Sequence, residues 1–393
     1  MLDKSLGIIE VFVITRNHMQ SEEIPTAGIP VLGERQRMVL RAVVAAYVAA
    51  AAPASSGTVS HLLPVPLSSA SIRNTMSDLA NLGLIEKPHA SAGRVPTELG
   101  MRFFVDQLLD ATDLTDYERL TLTNECDNIG SESVVSWVSA LLSSRTHQLG
   151  FVLSPRIDRM RMRHVSLVRV AIDRLLVVLV PEAGAVQQRV MHEQGARDQA
   201  ELDAMAAQIT ERLSGRTLQE LRALLTSELS QLRREAQGLL ARSLSLGLRV
   251  LKEPELDELE LVVTNHSALL SQPEFHDPDR LRGILKAVED NENLLDVVGQ
   301  ILDSSESTVS VSLGGELVDA DLQECALVAV PYGRSGQGAQ GVDDLGVATP
   351  RAALGALGVI GPRRMDYARV ISLVRFCSEL VTEKLNSGND TQS

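Results

Sequence analysis

The sequence predicts an α+β chain: a small helical module closed by two short strands, then a larger α/β body interrupted by a helical insertion. Three observations carry this prediction. Between Gly33 and Gly83 apolar residues recur at three- and four-residue spacing, as in helices that bury one face. Later runs rich in Val, Leu and Ile, bounded by turn residues, have the composition of strands. Between two groups of such runs, over residues 195–275, the period becomes helical again.

A chain of 393 residues has room for two or three domains, each with its own core. The 44% apolar and 22% charged residues describe a soluble globular protein, and the 3% aromatic content leaves its cores to aliphatic side chains. Cys126, Cys325 and Cys377 lie far apart without metal-ligand spacing, which fits a reducing compartment. No apolar run is long enough to span a bilayer; VSLVRVAIDRLLVVLV is broken by Arg169, Asp173 and Arg174. Glu10 within the apolar start argues against a signal peptide. The cytoplasm is the expected location, with no membrane partner.

The net charge of −14 disfavours a nucleic-acid partner for the chain as a whole. Its distribution is uneven: Leu32 to Asp106 holds seven basic and five acidic residues, a surplus of two, so sixteen net negative charges fall elsewhere. A mildly basic module is attached to an acidic body.

Taken in order, residues 1–31 read as an extension or linker with a weak strand-like run. Val39, Leu40, Val43, Val44, Tyr47 and Val48 form the apolar stripe of a first helix that Pro53 stops. A short helix is expected around SSGTVSHLL. Pro64 and Pro66 force a turn, and Ser68 or Ser69 can cap the next helix. Its apolar stripe is Ile72, Met76, Leu79 and Leu82, and Gly83 ends it. Ala70, Arg73, Asn74 and Ser77 fall on the opposite face, with Ser71 and Asp78 beside it. LIEK and GRVP are expected to be short strands around the loop PHASAGRVPT, and TELGMRFFVDQLL a closing helix.

Helix, short helix, turn, helix and two strands make a winged helix-turn-helix, whose second turn helix enters the DNA major groove. Arg and Asn are the side chains that read guanine and adenine edges with paired hydrogen bonds, so Arg73 and Asn74 are the candidate readers. Arg94 in the loop suits phosphates or a narrow minor groove. The candidate DNA-contacting set is Ser69, Ser71, Arg73, Asn74, Ser77, His89 and Arg94. The plainer alternative is that Arg73 and Asn74 solvate a helix face and the loop is a simple hairpin.

The segments VLGERQRMVLRAVVAAYVAAAAP and LPVPLSSASIRNTMSDLANLGLIEKPHASAGRVPTELGMRFFVDQLL resemble the N-terminal domain of the heat-inducible transcription repressor HrcA family. LGVIGPRRMDYARVISLV resembles that family's closing segment. The resemblance implies an N-terminal winged helix-turn-helix followed by a GAF-like α/β domain that carries an inserted, largely helical dimerisation domain. It implies a homodimer that binds an inverted-repeat operator (CIRCE) ahead of chaperone genes, is released on heat stress and is kept active by a GroEL-type chaperonin. One departure stands out: where the family's short helix commonly has Gly-Ser-Arg, this chain has Ser55-Ser56-Gly57, so a phosphate contact is missing.

The body follows as strands at QLGFVLSP, RHVSLVRVAI, RLLVVLVPE and VQQRVMH, then STVSVSL, CALVAVPY and LGVIGP, with a helix starting near Arg364. The expected division is extension 1–31, winged helix 32–110, GAF-like domain 111–194 and 276–386, inserted dimerisation domain 195–275, and disordered tail 387–393. Leu218, Leu221, Leu225, Leu229, Leu232, Leu239 and Leu240 make a stripe that patterning alone favours as core and the resemblance favours as a dimer contact.

Catalytic and cofactor signals are weak. Gly336 to Gly341 matches G-x-G-x-x-G, but VDDLGVATP after it is not the helix a dinucleotide needs, so a loop is expected and no cofactor. GGEL at 314–317 reads as a hairpin turn. In RRMDYARVISLV, Pro362 is expected at a helix start, Asp366 near the helix's positive end, and the arginines on neighbouring carboxylates. No enzyme activity is expected. The competing class is a ligand- or protein-sensing module whose winged helix contacts a protein partner.

Overall fold

The computed structural model describes residues 30–387 except 90–91, 111, 131–132, 183–185, 193–197, 214, 233–245, 247–260, 290–291, 304–307, 318, 334–340, 343–347 and 350–352. All but Pro30 and Val31 of the expected extension, all but Ser387 of the tail, and Leu239 and Leu240 lie outside the described residues.

The first module contains α1 (Glu34–Ala50), α2 (Ser56–Leu62) and α3 (Ser69–Asn81). A hairpin of β1 (Ile85–Glu86) and β2 (Val95–Pro96) follows, then α4 (Glu98–Phe103), which continues as a π-helical turn through Leu108. The first helix buries Val39, Leu40, Val43 and Val44, as its period predicts. It ends at Ala50, two residues before the alanine run does, because Ala51 adopts a left-handed conformation with φ 50° ahead of Pro53.

Helices α5 (Asp116–Asp127) and α6 (Val134–Thr146) lead into an antiparallel five-stranded sheet. Its order is β7 (Leu261–Val263), β3 (Leu149–Leu153), β12 (Gly355–Pro362), β9 (Cys325–Tyr332) and β8 (Ser310–Leu313). On one face lie α6 and α11 (Tyr367–Ser387); α9 (Pro278–Glu289) and α10 (Glu292–Asp303) cover the other. Both faces being covered, β8, β9 and β12 are buried along their whole length, and β9 and β12 accordingly read as near-continuous apolar runs.

The expected grouping of strands differs from the observed one. β4 (Met162–Ala171), β5 (Arg174–Pro181) and β6 (Gln187–His192) do not join the central sheet; they form an antiparallel meander of their own. α7 (Gln199–Leu213) and the start of α8 (Leu218–Leu232) pack on it around a separate core that includes Val165, Leu167, Val177, Met205 and Leu225. The excursion therefore begins after β3, not at residue 195. Sequence cannot separate the two sets of strands, because both alternate or run apolar and only their pairing distinguishes them. Leu218, Leu221 and Leu225 are core, buried against this sheet.

The chain leaves the central sheet by β3 and re-enters by β7, which pairs with β3. A buried serine stitches exit and entry together. Ser139 on α6 donates to the Gly150 carbonyl at 2.9 Å and accepts from the Thr264 backbone N–H at 3.1 Å.

Two smaller expectations also shift. Gly314–Glu316 is a 3₁₀ turn opening the connection from β8 to β9, two strands that do pair. Pro362 ends β12 and does not start a helix; α11 starts at Tyr367, with Asp366 accepting from the Arg369 N–H at 3.2 Å. Of the G-x-G-x-x-G run only Gly341 is described. It opens β10 (Gly341–Val342), which pairs with β11 (Ala348–Thr349), so a strand and not a helix follows.

Replacing Ser139→Ala takes the hydroxyl donor from the buried Gly150 carbonyl and the acceptor from the part-buried Thr264 N–H, and should cost about 1–3 kcal/mol. Chemical denaturation monitored by circular dichroism would show it as a lowered midpoint with unchanged slope.

Candidate nucleic-acid interface

The candidate surface is built on α3. Ser68 is its N-cap, its hydroxyl accepting from the Ser71 N–H at 3.2 Å, which settles the choice between Ser68 and Ser69. Ile72, Met76 and Leu79 point into the core as expected, joined by Thr75, whose hydroxyl is satisfied by the Ser71 carbonyl at 3.0 Å. Leu82 does not join them. It caps the helix and is 40% exposed, because the stripe has drifted off the core face after three turns.

Ser69, Arg73, Asn74 and Ser77 are exposed together on the outer face, and Ser71 is half-buried at its edge. Arg73 Nε points to Ser56 Oγ in α2 at 3.4 Å, a long contact that leaves the rest of the guanidinium free to reach outward. Ser55 caps α2 by accepting from the Thr58 N–H at 3.0 Å. The Ser55-Ser56-Gly57 departure thus puts a capping serine and a tether for Arg73 at the start of that helix.

Behind α3 the chain reverses at Gly83, whose φ of 73° is the left-handed region that favours glycine. Leu84 N–H then closes on the Leu79 carbonyl at 3.0 Å. Thr97 ties the far end of the hairpin to this turn, donating from its hydroxyl to Gly83 O at 2.6 Å and from its N–H to Leu84 O at 3.1 Å. The same hydroxyl accepts from Gly100 N–H at 3.0 Å, capping α4. Gly100 lies directly on the Leu84 carbonyl, where a Cβ would collide with backbone.

The hairpin has a third partner that the sequence pattern does not reveal. Ala54, between α1 and α2, exchanges two backbone hydrogen bonds with Arg94, at 2.8 and 2.9 Å. A single residue pairing this way has no periodic signature. It places Arg94 at the base of the loop, half-exposed and fixed, not at its tip as the loop's composition suggests. His89 is exposed nearer the tip, its carbonyl accepting from the Ala92 N–H at 3.0 Å.

The seven candidate residues therefore fall in two groups. Ser69, Ser71, Arg73, Asn74 and Ser77 share α3, whereas His89 and Arg94 belong to the hairpin loop. Both groups stand on one framework, fixed by backbone bonds through Ala54 and Gly83. Elsewhere, the described groups with strongly raised pKa are buried ones. Burial pushes the Cys325 thiol up to about 12 and carries Cys377, Tyr332 and Tyr367 higher still. Among the described residues no group of three His, Cys, Asp or Glu side chains could hold a metal. No helix of the described chain is long and apolar enough to cross a membrane.

An exposed polar helix face on a small module, with a large covered sheet behind it, is the build of a binding protein. The protein-family model described as HrcA protein C terminal domain matches residues 132–371, more than half of the chain. A heat-inducible transcription repressor HrcA of Rhodopseudomonas palustris (strain BisB18) is 36% identical over 366 residues, 92% of this chain and 96% of that protein. The repressor of the same name from Nitrobacter winogradskyi is 34% identical with the same coverage. A crystal structure described as that of a hypothetical protein shares the fold at a TM-score of 0.54 and 23% identity, covering 91% of this chain and 99% of that one. The chain belongs to the HrcA family of heat-inducible transcription repressors. That is a family of regulators and not of enzymes.

Gly100→Ala should force α4 and the Leu84 turn apart, costing about 1–3 kcal/mol. A thermal melt would show the loss as a lowered midpoint.

Proposed function

We propose that this protein is a heat-responsive transcription repressor that acts in the cytoplasm as a homodimer on an inverted-repeat operator of the CIRCE type ahead of chaperone genes. In this reading the N-terminal module is a winged helix-turn-helix and the five-stranded sheet with its helices is a GAF-like domain. The unit built on β4, β5 and β6 is the inserted dimerisation domain. The observation that carries the reading is the outer face of α3, where Arg73 and Asn74 are exposed side by side beside a pinned hairpin. An HrcA-type repressor needs DNA contacts of this kind.

Charge supports the same face. Of the module's acids, Glu98 and Asp106 are turned towards other arginines, so Arg73, Lys87 and Arg94 meet solvent with little acid nearby save Asp78 and Glu86. Such a face draws phosphate although the chain is acidic overall.

For the dimer, the open face of the meander is the stronger support. Val168, Leu176 and Val190 stand opposite one another across its three strands, and Val178 and Val180 extend the row. Val168 and Val190 are 39% and 59% exposed, with Val170 and Ile172 more open than Val168. A sheet with one covered face ordinarily turns polar residues to water; here an aliphatic patch bordered by His164, Ser166 and Gln188 is left open, which suits a second copy. A two-fold dimer would match an inverted repeat, because half-site symmetry mirrors protein symmetry. Release on heating and maintenance by a GroEL-type chaperonin are part of the same proposal and rest on family membership.

Fluorescence anisotropy on an inverted-repeat duplex and a half-site-scrambled control, at two salt concentrations with and without chaperonin, tests the DNA reading. The intact repeat should win clearly. Equal, weak and salt-sensitive binding to both duplexes would overturn the operator reading in favour of a protein partner. Arg73→Ala should cost about 1–3 kcal/mol on the intact repeat and reduce the preference for it. Arg94→Ala should weaken both duplexes alike and lower the salt slope by about 1. Val190→Asp should shift sedimentation velocity from dimer towards monomer without changing the circular dichroism spectrum.

A further inference from the structure

The module meets the body across a seam of three arginines. Arg102 on α4 is nearly buried, and its guanidinium takes four acceptors. It holds both carboxylate oxygens of Glu316, the Val311 carbonyl of β8 at 2.7 Å and Asp106 one turn on at 3.2 Å. Glu98, one turn before it, accepts from the Gly315 N–H at 3.2 Å and from Arg363 at 3.4 Å; Arg363 also reaches Glu324 at 2.9 Å. At the end of α1, Arg364 donates to the Val48 carbonyl at 3.3 Å while paired with Glu274 and bonded to Gln272 at 3.0 Å. Tyr47 beside it is half-buried.

These bonds grip two particular places. Helix α4 starts two residues after β2, so Glu98 and Arg102 hold the root of the hairpin. Val48 lies at the end of α1, six residues before Ala54, which pins the hairpin from its other side. The body therefore grips the framework that carries α3 at both of its ends. Apolar contacts tolerate sliding, whereas a planar guanidinium with several fixed acceptors selects one angle.

We infer that Glu98 and Arg364 are positioning residues for operator recognition: through them the body fixes the angle at which α3 is presented. They set the separation of half-sites that a dimer accepts, and leave the affinity for a single half-site unchanged. This rests on the operator reading above. The chain of support runs from the meander through the central sheet and the seam to α3, so slack at the seam becomes slack in the spacing.

The test uses the full-length protein with Arg364→Met and, because that variant buries an unpaired Glu274, also with the half-exposed Glu98→Gln and the conservative Arg364→Lys. Binding is measured on inverted-repeat duplexes whose spacer is changed in single base-pair steps up to about half a turn, or about five base pairs, and on a single half-site. In parallel, spin labels at Glu86→Cys and Asp279→Cys, diluted with unlabelled protein, report the distance between module and body; the native thiols are buried. The unaltered protein should favour one spacer by about tenfold and show one narrow distance. Arg364→Met and Glu98→Gln should keep half-site affinity within about twofold while the spacer preference flattens and the distance distribution broadens. Arg364→Lys, which keeps the charge but loses the fork, should fall between. Folded variants with unchanged spacer profiles and narrow distances would overturn the proposal. If the unaltered protein ignores the repeat altogether, the operator reading fails, and the spin-label distances alone decide whether the seam fixes the module.

Discussion

The rest of the structure depends on one apolar cluster that ignores the boundary between module and body. It runs from Leu32, just before α1, and Val39 and Val43 of α1 through Ile72 and Leu79 of α3 and Met101 of α4. It continues into Val311, Val328 and Val359 of the central sheet and Val374 and Val381 of α11. At roughly 25 cal/mol for each Å² of apolar surface removed from water, no single contact elsewhere among the described residues competes with such a continuous core. The module is thus not a bead on a linker. Its fold and its placement draw on the same burial, and heat that loosens the body loosens α3 with it.

Polar contacts then select among the orientations that apolar burial alone would allow. The seam holds three arginines and five carboxylates, Glu98, Asp106, Glu274, Glu316 and Glu324, and every arginine there has more than one acceptor. The arrangement resolves the charge puzzle of an acidic chain expected to bind DNA. The acids of α4 and its π-helical turn face inward to arginines, and the outer face of α3 and the hairpin keep their cations. Net charge is a poor guide to the partner here because charge is sorted by face.

The inserted unit has its own core, separate from that of the central sheet. Among the described residues its links to the body include the β3–β7 pairing stitched by Ser139, the bond from Arg156 N–H to the Leu354 carbonyl at 2.7 Å and that from Arg159 to the Ala353 carbonyl at 3.1 Å. Two cores joined through a narrow junction can lose stability separately.

The sequence by itself determined the local elements and the facing of α3. Ile72, Met76 and Leu79 at helical spacing put Arg73, Asn74 and Ser77 outside, and Gly83 marked the turn, because helix period and backbone permissiveness are local properties. It also determined the family, through the runs SSASIRN and SAGRVPTELGMRFFVD. Only the tertiary structure decided which strands share a sheet, since β5 and β9 both read as apolar runs and differ in their hydrogen-bonding partners. It alone pinned Arg94 to Ala54, placed Arg102 on Glu316 across 214 residues of chain, and turned Leu218, Leu221 and Leu225 inward. Long-range pairing and the choice of which apolar face is covered are set by packing between distant segments, and no local period encodes them.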